Sequence, residues 1–310
     1  MVILHLTDSH VSASTADHPS PRKWRSSSYE DDVFAKLEWV RDYAGQFDDA
    51  AIIHSGDGFD RPTEPLKTSL RYADWVRSFG NIPFIHAVGQ HDVRGYAIET
   101  LNECSLGIVQ RLGNALEDWH KVTDETGFEW NIRSLDCTKE ALLNEEDPFE
   151  VQAADIVVPH LSIHPNAYGC VHPEAIAWSK PVLVLCSHIH SGFPLMKTRR
   201  GCTFSAPGAL VRLNADEVER QPQIAVIEVS GGTVVEATYV PLPCKPAVEV
   251  FDMGAMQQKQ DEVKERTEFR EAINEVSAEF TGDWRAMLES AREWAGDDTV
   301  DKLIPYCERV

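Results

Sequence analysis

Five short stretches of the chain place aspartate, histidine or glutamine directly after an apolar run: Asp8-Ser9-His10, Gly56-Asp57-Gly58-Phe59-Asp60, Gly89-Gln90-His91-Asp92, His160, and Ser187-His188-Ile189-His190. Carboxylate oxygen with imidazole nitrogen is the donor set for manganese, iron or zinc, and the mixture excludes a soft thiolate site. One aspartate after glycine is ordinarily a turn residue, and one histidine at a strand end is ordinarily a hydrogen-bonded structural residue. Five such stretches in one chain point instead to a pair of cations. Asp57, which follows the apolar run Ala51-Ile52-Ile53 and a glycine, is then the carboxylate the two cations share. Paired cations lower the pKa of the water they bind and so make a nucleophile of it.

Residues 1–8 read as a first strand. Residues 11–30 are a serine-rich polar loop with a basic cluster, Arg22, Lys23 and Arg25, which offers contacts to a nucleic-acid backbone or is a solvated loop. Asp31 or Asp32 caps a helix that spaces Val33, Leu37, Val40 and Ala44 on one face. A strand at 50–55 follows, then a helix after Pro65 with Leu66, Leu70, Ala73 and Val76 inward, then a strand at 82–88. This alternation predicts right-handed βαβ units. Residues 96–150 carry one helix, a hairpin near 128–133 and an acidic loop at 144–147. Further strands are expected at 155–158 and 181–186, then at 202–206, 223–229 and 233–240, and the close spacing of the last three predicts antiparallel pairing in a second sheet. Loops beyond the strand C-termini of open α/β sheets gather at one crevice, which places the five stretches together. From about residue 246 the style changes. Residues 256–295 are acidic, with Val263, Phe269, Ile273 and Val276 at helical spacing. The expected organisation is a large domain over 1–245 and an acidic helical region over 246–310.

The 310 residues are 43% hydrophobic and 25% charged, which fits a globular chain with a sizeable core. No apolar run nears the ~20 residues of a membrane helix. The N-terminus lacks the basic segment of a signal peptide, so a cytoplasmic protein without membrane attachment is expected. The seven cysteines are odd in number and form no CxxC pair, as suits reduced, buried thiols. The formal net charge of −21 weighs against autonomous DNA binding, because Lys and Arg on phosphates supply most duplex affinity. A nucleic-acid substrate would call for local basic patches, metal ions or a partner subunit.

The order of these motifs resembles that of the calcineurin-like metallophosphoesterases over roughly residues 1–245. Gly56-Asp57-Gly58-Phe59-Asp60 is similar to the Gly-Asp-Leu-Phe-Asp of the Mre11/SbcD nuclease branch. The run Ser205-Ala206-Pro207-Gly208-Ala209-Leu210-Val211-Arg212 and the strand ending Tyr239-Val240-Pro241-Leu242 resemble that branch as well. The resemblance implies a two-sheet αββα sandwich. It implies Asp8, His10 and His190 on a first metal, Asp57 bridging, and Gln90, His160 and His188 completing the second. His91 would stand beside the scissile phosphate as proton donor or charge stabiliser, oriented by Asp92, and Asp60 would hold the loop or a histidine. Gln90 stands where the family has asparagine, one methylene shorter, and Ser187 where glycine is usual. His164 rivals His160, which abuts the strand directly. His5, His18, His54 and His86 lie off the pattern and read as structural or solvent-exposed.

The activity implied is Mn-dependent DNA exo- or endonucleolysis in repair or recombination, with Fe, Zn or Mg as alternative metals. A homodimer and a Rad50/SbcC-like ATPase docked through the C-terminal helices come with it. A phosphatase or small-molecule phosphodiesterase would keep the metals and change the substrate. A non-catalytic scaffold binding DNA or a partner draws only on Gln90.

Overall fold

The computed structural model describes residues 1–13, 25–26, 28–113, 115, 119–213 and 217–279, with side chains as far as Thr267, and Glu289, Arg292 and Val300 beyond them. β1 (Val2–Leu6) and β2 (Ala50–His54) are almost wholly buried, as central strands covered on both faces must be. They pair in parallel, and β3 (Phe84–His86) continues the parallel run on the far side of β2. On the other side of β1 lies β10 (Gln223–Ser230), antiparallel, followed by its hairpin partner β11 (Thr233–Pro241).

The second sheet runs β4 (Trp119–Thr123), β5 (Glu129–Leu135), β6 (Ile156–Pro159), β7 (Leu183–Leu185), β9 (Thr203–Ala206) and β8 (Phe193–Lys197) in spatial order. The antiparallel pairing expected of the strands at 223–229 and 233–240 is found, but in the first sheet and apart from the strand at 202–206. β5, β6, β7 and β9 are mutually parallel, and only the edge pairs β4–β5 and β8–β9 are antiparallel. The β10–β11 hairpin belongs to the first sheet. Short spacing signals a hairpin but does not say which sheet edge receives it. β8 carries no apolar alternation and was not expected.

The two sheets face each other across a core of Ile3, Ile53 and Ile85 from one side and Ile132, Ile156, Val158 and Leu183 from the other. The strand period of two turns Leu4, Ile52 and Phe84 to the opposite face. α1 (Tyr29–Ala44) buries Val33, Leu37, Val40 and Ala44 as expected. It starts earlier than expected, with Asp31 and Asp32 in its first turn, where carboxylates complement the unpaired N–H groups.

α2 (Leu66–Arg77) buries Ala73 and Val76 as expected but not Leu66 and Leu70. Ser69, Tyr72, Ala73 and Val76 are inward, while Leu66 and Leu70 are 62% and 38% exposed. Small Ser69 meets Ser105 of α3 (Ser105–Gly113), Oγ to Oγ at 3.0 Å, and the aromatic ring of Tyr72 takes the core position. The outer face of the second sheet is covered by turns, the short α4 (Phe149–Gln152) and the buried Trp178.

The chain forms two units, Met1–Asp252 and Met253–Val310. Residues past 245 are stitched to the start of α1. Lys245 N–H donates to Asp32 Oδ1 at 3.1 Å, Ser26 N–H to Val250 O at 2.9 Å, and α5 (Ala247–Val250) leads to Phe251, bridged to Arg25. In the second unit α6 spans Met253–Glu279, with Val263 exposed. The expected apolar positions Phe269, Ile273 and Val276 lie outside the described side chains. No described helix is long and apolar enough to cross a membrane.

Candidate metal centre

The five stretches leave the C-terminal ends of β1, β2, β3, β6 and β7, so both sheets supply the site. The first two loops are laced together. Asp8 N–H donates to Gly56 O (3.1 Å), His10 N–H to Asp57 O (3.1 Å) and Val11 N–H to Gly58 O (2.9 Å). Asp8, His10, Asp57 and His188 all have positive φ, at 50°, 39°, 52° and 71°. Each such non-glycine residue costs of order 1 kcal/mol or more and persists where surrounding bonds fix it. Two glycines are required by close approach. A Cβ on Gly89 would lie 2.0 Å from Asp57 Oδ1, and one on Gly56 (φ +110°) would lie 2.3 Å from His160 Nδ1.

Three groups of donors converge among the described residues: Asp8, His10 and His190, then Asp57, His160 and His188, and a third of His10, Asp60 and His91 that shares His10 with the first. In the first, His10 Nε2 and His190 Nε2 are 3.2 Å apart, and each is 3.9 Å from Asp8 Oδ1. In the second, Asp57, His160 and His188 gather, with His160 Nε2 3.2 Å from Asp57 Oδ2. Asp57 Oδ2 is also 3.9 Å from His10 Nε2, so the same oxygen faces the first two groups. The other oxygen, Oδ1, accepts the backbone N–H of His91 at 2.8 Å.

These residues fit divalent cations. Asp8 Oδ1 is buried and makes no hydrogen bond among the described residues, although orphaned buried polar atoms are costly. Ligands ~2.1 Å from one ion stand roughly 3.0–3.4 Å from each other; the two 3.2 Å pairs meet that spacing, and the three 3.9 Å approaches are wider. Burial works to lower the His160 pKa, but the charge of Asp57 beside it prevails and pushes it up to about 10. Burial likewise opposes ionisation of Asp57, and His160 then holds that carboxyl well below the usual range. Without metal the pair is therefore an ion pair, and a bound cation would take the place of the imidazole proton.

Gln90 reaches the second group, its amide nitrogen 2.9 Å from His188 Nδ1. Rotating the amide would bring its oxygen to the same place. His164 is not brought there. Its Nε2 faces Gly192 O at 2.9 Å and its Nδ1 accepts the N–H groups of Asn166 and Ala167. Ser187, in place of the usual glycine, donates its hydroxyl to the strand-end carbonyls of Ser55 (2.6 Å) or Pro159 (2.8 Å). It thereby ties the ends of β2 and β6 together beneath His160.

Asp60 stands behind the first group, with Oδ1 3.6 Å from His10 Nδ1 and Oδ2 3.1 Å from Arg25 Nη1. This removes Arg25 from the candidate DNA contacts. Its side chain is 3% exposed, paired with Asp60 and stacked 3.9 Å over the Tyr29 ring. Arg22, Lys23 and His18 lie outside the described residues.

His91 packs edge-on against His10, with ring centroids 4.9 Å apart. Its Nδ1 lies 2.9 Å from the carbonyl oxygen of Asp60. The expectation that Asp92 orients this ring is corrected. The Asp92 carboxylate instead accepts three backbone N–H groups, from Gly58 (3.3 Å), Phe59 (3.0 Å) and Gly89 (3.0 Å), bracing two loops against each other. Burial, then the charge of Asp57, pushes its pKa up to about 7.

Glu217, absent from every sequence motif, accepts from His190 Nδ1 at 2.9 Å. His5, His54 and His86 are buried outside all three groups. His54 stacks on His86 at 4.2 Å, Tyr72 OH meets His86 Nε2 at 3.1 Å, and burial lowers the His86 pKa to about 4.

A sequence model of the family described as calcineurin-like phosphoesterase matches residues 1–192, more than half of the chain. The chain belongs to that family. One curated relative of this phosphoesterase, the DNA double-strand break repair protein Mre11 of Aeropyrum pernix, is 24% identical over 271 residues. The match takes in 81% of this chain, and the chain spans 64% of the relative's length. Among solved structures, a 5'-nucleotidase precursor from Thermus thermophilus aligns at 12% identity and a TM-score of 0.47, covering 83% of this phosphoesterase and 57% of that chain. The calcineurin-like phosphoesterase YfkN from Bacillus subtilis aligns at 12% identity and a TM-score of 0.42, covering 84% and 97%. Likenesses this loose carry no argument about substrate.

Proposed function

We propose that this phosphoesterase hydrolyses phosphodiester bonds of DNA with two divalent cations, manganese being the leading candidate, in the manner of Mre11-type nucleases. The observation that carries the two-cation part is Asp57 Oδ2, turned at once toward His10 and toward His160. Asp8, His10, His190 and Asp57 would hold one cation, and Asp57, Gln90, His160 and His188 the other. Such a pair supplies Lewis acidity: it offsets phosphate charge and lowers the pKa of water. The DNA part is supported by the likeness to the Aeropyrum pernix protein, which extends past the family core.

The chain's own residues do the rest. The His91 N–H holds Asp57 Oδ1, which leaves Oδ2 for the cations. A carbonyl oxygen only accepts, so Nδ1 of His91 carries a hydrogen donated to Asp60 O, and Nε2 is the nitrogen left to meet a substrate. To protonate a leaving oxygen the ring must therefore be an imidazolium. As the neutral ring it can only accept through Nε2. Asp92 keeps the Gly89 and Gly58 loops in register, so that His91 and Asp57 stay in contact.

The same reading brings a homodimer and a Rad50/SbcC-like ATPase partner, with the unit Met253–Val310 as the docking segment. A basic partner surface would also offset the chain's net charge of −21, which by itself disfavours DNA. The test is incubation of the purified protein with manganese and either linear duplex DNA or a generic aryl phosphodiester. Degradation of DNA supports the proposal. Turnover of the aryl ester alone replaces it with a small-molecule phosphodiesterase, and metal binding without turnover replaces it with a scaffold.

A further inference from the structure

We propose that Glu217 is the positioning residue that fixes His190 for the first cation; the inference rests on Asp8, His10 and His190 forming a cation site. A histidine ligand binds through one nitrogen, and the hydrogen bond made by the other decides which nitrogen that is. His190 Nε2 is the atom turned inward, 3.2 Å from His10 Nε2 and 3.9 Å from Asp8 Oδ1. Its Nδ1 lies 2.9 Å from Glu217 Oε1. A carboxylate only accepts, so the hydrogen sits on Nδ1 and the Nε2 lone pair is left for the cation.

The other three candidate histidines have different supports. His160 Nδ1 faces the carbonyl of Ser55 at 2.9 Å, His188 Nδ1 faces the Gln90 amide at 2.9 Å, and His10 Nδ1 stands 3.6 Å from Asp60, beyond hydrogen-bond range. Among the described residues, His190 alone of the four has a carboxylate at hydrogen-bond distance from its Nδ1.

The turn bearing Glu217 is itself fixed, as a positioning role requires. Glu217 Oε2 accepts the backbone N–H of Leu213. The buried Arg212 donates to Val218 O (2.9 Å) and Lys245 O (2.7 Å). Arg220 donates to Ala209 O at 2.7 Å, and the N–H of Ala209 donates to His190 O at 3.0 Å. The side chain of His190 is thus held by Glu217 and its backbone by Ala209, which Arg220 ties to the same stretch.

The test is a calorimetric titration of manganese into wild type, Glu217→Ala, Glu217→Gln and Glu217→Asp, and into Glu217→Ala combined with His190→Ala or with His188→Ala. The expected result for Glu217→Ala is a loss of about 10–100-fold in affinity at one of two sites, the usual effect of removing a ligand's hydrogen-bond partner. Glu217→Gln keeps an accepting oxygen and recovers most of the loss. Glu217→Asp, one methylene short, falls between. The loss vanishes in the His190→Ala background and persists in the His188→Ala background. In metal-free protein, nitrogen NMR of the imidazoles finds the Nδ1-protonated tautomer of His190 in wild type and a mixture in Glu217→Ala.

Wild-type affinity in the Ala and Asp variants would overturn the proposal. So would a loss that remains on top of His190→Ala, or an unchanged tautomer. Should wild type bind no manganese, the cation reading fails, while the NMR comparison still decides whether Glu217 sets the His190 ring. Should Glu217→Ala lose its thermal transition, the Gln and Asp variants decide.

Discussion

Replacing His5 by leucine tests the buried layer beneath the site through its pH dependence. His5 lies on β1 with no exposed surface, its Nε2 2.8 Å from Ser55 Oγ and its Nδ1 without a hydrogen-bond partner. Burial lowers its pKa from 6.5 to about 3. In the folded chain the ring is therefore neutral at any pH near neutrality, whereas in the unfolded chain it takes up a proton below 6.5. A depressed histidine makes a chain more stable above its unfolded pKa and less stable as pH falls, until the folded group also titrates. The window for His5 runs from 6.5 down to about 3.

Within that window each pH unit costs about 1.4 kcal/mol, so at about pH 5 the penalty is roughly 2 kcal/mol. Leucine carries no such penalty. Denaturant unfolding of the metal-free proteins at about pH 7 and about pH 5 measures it. The variant loses the Ser55 hydrogen bond at both pH values, a fixed offset of roughly 1 kcal/mol. The difference between variant and wild type should then move by about 2 kcal/mol in the variant's favour on acidification. Other groups that titrate in this range, such as Asp92, cancel in the difference if the substitution leaves them alone. Stability curves that run parallel for the two proteins would refute the reasoning, because His5 would then not be held neutral by burial.

Three further outcomes follow from the geometry. Asp57→Asn removes the one anionic oxygen facing both proposed cation groups, so metal content after dialysis should fall, and turnover should fall by on the order of a thousandfold or more. His91→Ala should lower turnover by about 10²–10⁴-fold while both cations remain, since the ring belongs only to the third donor group, with His10 and Asp60, which the proposed pair of cations does not use; metal analysis finding that variant empty would refute its role. Gly89→Ala places a methyl 2.0 Å from Asp57 Oδ1, so Asp57 must move. Metal affinity should drop at both sites together, as titration would show, and a Gly89→Ala protein that binds two cations with wild-type affinity would mean the loop yields instead.

Much of the centre was legible in the chain because a strand end is a local event. Ala51-Ile52-Ile53 must be buried, Gly56 must turn, and Asp57 then emerges at the sheet edge whatever the distant segments do. The same logic placed Asp8, His10 and His188, each just past a strand. What was illegible depends on which segments meet. Arg25 looked basic and solvated beside Arg22 and Lys23, but Asp60 lies 35 residues on and captures it in a buried pair. Asp92 adjoins His91 in sequence, yet its carboxylate turns the other way, toward N–H groups more than 30 residues back. Leu66 and Leu70 fit a helical stripe, but α3 lies against Ser69 and so decides which stripe is inward. Ser187 stands where glycine is usual, and its partners, the carbonyls of Ser55 and Pro159, come from other segments. In each case the candidate ligand was readable and its support was not. A ligand has to project from a strand end, which one segment determines. A support has to touch a ligand, and that depends on where a second segment folds back. Hydrogen-bond partners of the ligands are therefore where substitutions with no motif to mark them should most alter metal affinity in this chain.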